Sequence, residues 1–239
     1  MKFKVGDDVD RALCVAIRHE FLRCDDAFKE FAKSAELMIM RGENRRIAYT
    51  TYNAYARFIH HLYEFLLGAI QRDRNDTGKL HFELADKYVQ GYAQRVVTNR
   101  REAILNGTAP SWENHISVYP ERIPAEFASR FRLFRNTASG HVKHQRTGMS
   151  MSEFYDKFHM YLYMLYERSI YMWGQIEEEF PDLGEITEFS VLVRESRSRL
   201  PDKVDSQDGL ESATFSGLGD NESSVVRSGN FRSLSLQAG

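Results

Sequence analysis

One short stretch of this chain concentrates residues that can hold an anion and move a proton: Arg132-Leu133-Phe134-Arg135-Asn136-Thr137-Ala138-Ser139-Gly140-His141-Val142-Lys143-His144-Gln145-Arg146. An arginine carries a permanent planar cation suited to phosphate, and a histidine exchanges its proton near neutral pH. Between Glu121 and Arg146 six basic residues stand against two acidic ones, and the two histidines add partial charge as the pH falls. The remainder is balanced, with 32 Lys+Arg against 34 Asp+Glu and a formal charge of −2 over 239 residues. That balance excludes a basic nucleic-acid coat or a polyanionic tail as the basis of function, so any electrostatic site is local.

Arg135 and His141 are six residues apart. On a continuous α-helix that separation turns through about 600°, leaving the two side chains about 120° apart in azimuth. Gly140 supplies a break: a left-handed glycine after the last helical residue ends the helix and redirects His141. A second Arg-Asn…His sequence, Arg74-Asn75 with His81, falls in a hydrophilic loop between early helices and reads as a loop arginine and a surface histidine. His60, His61 and Glu64 place His60 and Glu64 at i, i+4 on one helix face. No complementary carboxylate–histidine pair stands out on another helix, so a helix-surface hydrogen bond is expected there and no metal site is assigned. Cys14 and Cys24 make neither a disulfide scaffold nor a complete thiolate zinc site. No G-x-G-x-x-G, Walker A or G-x-S-x-G sequence occurs.

Arg135-Asn136 followed by His141, at the exit of an apolar helix and before the last long helix, resembles the R-x4-6-H motif of the HEPN superfamily. The resemblance covers about residues 8 to 180. It implies an all-α bundle of four or five helices that dimerises so that two motifs face one another. Many members are metal-independent endoribonucleases acting as toxins, anti-phage effectors or RNA-processing factors, while others bind RNA or partner proteins without catalysis. The implied chemistry is transesterification, in which the 2′-hydroxyl of RNA attacks the adjacent phosphate. His141 then serves as general base or acid, Arg135 as phosphate clamp, and Asn136 orients the phosphate or the histidine. Arg132, Lys143, His144 and Arg146 widen the cationic surface along the RNA, and no metal or other cofactor is required. An antitoxin or defence-system partner is expected on the same ground.

The elements that must position these residues are helical. Apolar residues recur at helical spacing over about residues 8–40, 45–72, 80–105, 125–139 and 152–180, with no run of strand-like alternation. Gly6-Asp7-Asp8 caps the first helix and Gly42 stops it. Only five prolines occur: Pro110, Pro120 and Pro124 share the connection before the fourth helix, Pro181 closes the fifth, and Pro201 lies in the tail. The predicted fold class is therefore an all-α, up-and-down bundle of about five helices spanning residues 1–190. A Ser/Gly-rich tail, 191–239, reads as disordered. The fifth helix is apolar nearly all round, and its surplus face suits either a central place in the bundle or a homodimer through residues 152–180. The longest uninterrupted apolar run, Met160 to Tyr166, is far too short to span a membrane, and a cytoplasmic location is expected.

Overall fold

The computed structural model describes residues 1–42, 44–113, 115–138, 150–172 and 184–198. It is an all-α bundle: α1 (Asp8–Arg41), α2 (Arg45–Asp73), α3 (Phe82–Leu105), α4 (Phe127–Ala138), α5 (Met151–Met172) and α6 (Gly184–Ser198), with a single 3-10 turn at Ile116–Val118. Among the described residues the only β-type pairing is an isolated bridge between Lys2 and Asp76. A separate unit begins at Glu185; its α6 carries exposed Ile186, Phe189, Leu192 and Val193 and is helical to Ser198, within the stretch read from the sequence as a disordered tail from residue 191. No helix among the described residues is long and apolar enough to cross a membrane.

The helix ends follow local chemistry. The Asp7 carboxylate accepts a hydrogen bond from the Asp10 amide at 2.9 Å and caps α1, whose far end is turned by Gly42 at φ +79°. Asn44 caps α2 by accepting from the amides of Arg46 and Ile47. Ser150 and Glu153 form a reciprocal capping box at the start of α5: the Glu153 amide donates to Ser150 Oγ at 3.1 Å and the Ser150 amide to Glu153 Oε2 at 2.7 Å.

Helices α1 and α2 form a long antiparallel hairpin. Arg72 Nε donates to buried Asp10 Oδ1 at 2.8 Å near its open end, and Arg57 pairs with Glu30 nearer the turn. Helix α5 runs through the middle of the bundle. Its Tyr166 stacks on Phe21 of α1 and meets Phe58 of α2 edge-on. Its Phe158 and Phe154 meet Phe127 and Phe134 of α4 at ring-centroid distances of 5.7 and 4.1 Å. Phe58, Phe65, Phe127, Phe131, Phe154 and Phe158 are completely buried, each stabilising the fold by about 1.5–3 kcal/mol through removal of apolar area from water.

This packing accounts for the apolar surfeit of the fifth helix. Phe154, Phe158, Tyr161, Leu162, Met164, Leu165 and Tyr166 are all buried within one chain, leaving Tyr155 and Tyr163 as its exposed large apolar side chains among those described. The expected extension of this helix to residue 180 lies outside the described residues, as do His141, Lys143, His144 and Arg146 and the tail from 199 onward.

Candidate functional site

The position of α4 is set by two glutamines of α3. Gln94 donates to the Glu121 carbonyl at 2.8 Å and accepts from the Ile123 amide at 3.0 Å. One turn earlier, Gln90 donates to the Pro124 carbonyl at 2.9 Å and accepts from the Ala128 amide at 3.1 Å. Gln94 thus satisfies one acceptor and one donor of the proline-containing connection, Gln90 one acceptor of the connection and one donor in the first turn of α4, and α4 leaves at a fixed angle. Arg132 continues the seam, its guanidinium donating to both oxygens of Asp86 at 2.9–3.2 Å and lying over the Phe82 ring.

One turn further, in the last turn of α4, Arg135 reaches across to α2. Its Nη1 donates to Asn136 Oδ1 at 2.7 Å, its Nη2 to Glu64 Oε1, and its guanidinium carbon lies 5.8 Å from the centroid of the Tyr63 ring. Arg135 Nε is buried with no hydrogen-bond partner among the described residues. Two of the guanidinium's donors are thereby occupied, while each terminal nitrogen keeps a second N–H. Of the residues singled out in the sequence, the structure thus brings Arg135 and Asn136 into direct contact and holds Arg132 against Asp86.

The partner of Glu64 differs from expectation: it takes Arg135 rather than completing a pair with His60. His60 and His61 instead face α1, where His61 Nδ1 lies 2.7 Å from Glu20 Oε1 and Arg23 stands 3.6 Å from Glu20 Oε2. The His60 and His61 rings meet edge-on at 5.1 Å. Burial pulls the pKa of His60 below the usual 6.5, helped by the nearby charges of His61 and Arg135 and opposed by Glu20. His19 is lowered by burial and by Arg23. For Glu20 burial acts upward, but the His61 hydrogen bond and the charges of His61, Arg23 and His60 outweigh it, and the carboxyl sits below its ordinary value. His60 Nδ1 and His19 Nε2 are buried with no partner among the described residues.

Glu20 is the residue that pattern reading along the chain missed. Its partner lies 41 residues away, and the signal that could have found it is the hairpin itself: in antiparallel helices joined at residues 42–44, residues at similar distances on either side of the turn face one another. The second Arg-Asn…His sequence separates instead. Arg74 caps the C-terminus of α2 over the Tyr88 ring, Asn75 adopts φ +52°, and His81 precedes α3 with an exposed side chain. Comparison with family models, with curated proteins and with solved structures finds no match to this chain.

Proposed function

We propose that the chain is a HEPN-like, metal-independent endoribonuclease that cleaves RNA by attack of the 2′-hydroxyl on the adjacent phosphate, working as a toxin or anti-phage effector. The observation that carries this is the hydrogen-bonded Arg135–Asn136 pair in the last turn of α4, with its guanidinium directed onto a polar patch of α2 and the long apolar α5 following in the chain. In this mechanism the second N–H of each Arg135 terminal nitrogen binds a phosphate oxygen and offsets the charge of the pentavalent phosphorane. Asn136 fixes the guanidinium plane. His141 takes the 2′-hydroxyl proton and, through the copy in a second chain, returns one to the 5′-oxygen leaving group. Lys143, His144 and Arg146 line the path of the RNA backbone, whereas Arg132 acts through its Asp86 pair as a support for α4. The homodimer pairs two motifs and uses the exposed Tyr155 and Tyr163 of α5, and a cognate partner protein holds the activity in check.

Purified protein mixed with RNA in EDTA tests the proposal. Wild type is expected to cleave, and His141→Ala and Arg135→Ala are expected to lose cleavage by at least a hundredfold. Equal cleavage by all three, or none by the wild type, contradicts it. One observation favours a second reading, a non-catalytic helical module of the same kind that binds RNA or a protein: Glu64 already neutralises Arg135. That reading expects His141→Ala to leave function intact.

A further inference from the structure

The polar cluster between α1 and α2 has the composition of a metal site, and this holds whether or not Arg135 binds RNA. Glu20 from α1 and His60 and His61 from α2 each bring one ligand atom, and these atoms lie within 4.8 Å of one another. A tetrahedral ion with bonds of about 2.0–2.1 Å spaces its ligands by about 3.3 Å, a contraction within reach of side-chain rotation. Two imidazoles and a carboxylate form the donor set that suits zinc and its neighbours, with a fourth position left open.

The state of the side chains points to an ion. His60 Nδ1 is buried without a hydrogen-bond partner among the described residues, a costly arrangement unless another species binds there. Glu20 already lies 2.7 Å from His61 Nδ1, with its other oxygen 3.6 Å from Arg23 Nη1. The positive charges of Arg23 and Arg135 lower the affinity of such a site without occupying its ligand atoms.

We propose that Glu20, His60 and His61 form a binding site for a zinc-class divalent ion that fastens α1 to α2, with water in the fourth position. The site lies beyond the nuclease chemistry, which uses no metal.

Untagged full-length protein, stripped with EDTA and dialysed, is titrated with zinc chloride by calorimetry. One ion per chain is expected, with affinity reduced at least tenfold in Glu20→Ala, His60→Asn and His61→Asn. It should be unchanged in His81→Ala, whose side chain is 66% exposed. Zinc at a hundredfold excess over Kd should raise Tm by about 5–10 °C. Arg135→Ala, which removes a cation and frees the Glu64 carboxylate one turn from His60, should tighten zinc binding while abolishing RNA cleavage, so the two proposals fail separately. Cobalt(II) bound to the wild type should show the visible bands of a four-coordinate nitrogen/oxygen site, a readout independent of how the variants fold. Absence of one-to-one zinc binding by the wild type, binding that survives all three substitutions, or thiolate charge-transfer bands implicating Cys14 or Cys24 overturns the proposal.

Discussion

Arg135 is held by Glu64, Asn136 and the Tyr63 ring, so in the proposed mechanism a phosphate reaches it in competition with a carboxylate rather than at a free cation. That competition is measurable. On a His141→Ala background, where RNA stays intact, Arg135→Ala should make the slope of log affinity against log salt shallower by about 0.7, the contribution of one contact to single-stranded RNA. Glu64→Gln should raise the affinity. Arg132→Ala should leave the slope unchanged, because Asp86 already takes that guanidinium in a two-pronged pair. An unaltered slope in Arg135→Ala shows that its guanidinium touches no phosphate. The sequence assigns Asn136 to the phosphate or the histidine, whereas the structure joins it to the neighbouring Arg135 guanidinium. The grip of Glu64, 71 residues away, was not legible, since periodicity places Glu64 on a face of α2 without saying which helix covers that face.

The α1–α2 hairpin depends on a close approach at Gly68. A β-carbon there would lie 2.8 Å from Ile17 Cγ1, and Ile17 is buried and branched at its own β-carbon, so little can yield. Gly68→Ala is expected to destabilise the chain by about 1–3 kcal/mol, with part of that recovered in the double variant with Ile17→Ala. Urea unfolding midpoints decide it, and additive losses in the double variant contradict the contact. The limits of α1 were readable because its end signals are local: Asp7 and Gly42 act within a few residues of themselves. Helix α6 was not, since Gly184–Ser198 runs into the stretch that composition assigns to the tail. The surroundings of α5 were not. Its sequence shows apolar residues on every side but not that Phe28 and Phe58 pack against Tyr166 while Phe127 packs against Phe158, which is what makes it the central helix.

For the whole molecule, a half-buried histidine ties stability to pH. His159 stacks on Tyr155 at 4.3 Å, its Nδ1 lies 3.1 Å from the Tyr55 hydroxyl, and burial lowers its pKa to about 4. The unfolded chain binds this proton near pH 6.5 and the folded chain only near 4. Its contribution is therefore complete above about pH 6.5 and falls by up to about 3 kcal/mol as the pH approaches 4. His159→Gln should unfold with a weaker pH dependence than wild type between pH 7 and 5, and identical dependence contradicts the assignment. The proposed nuclease activity is tested most directly by the ends of the RNA fragments it would produce. Incubation with end-labelled RNA in EDTA should yield fragments with 2′,3′-cyclic phosphate and 5′-hydroxyl termini, abolished in His141→Ala. Uncleaved RNA, or fragments bearing 5′-phosphates, would contradict it.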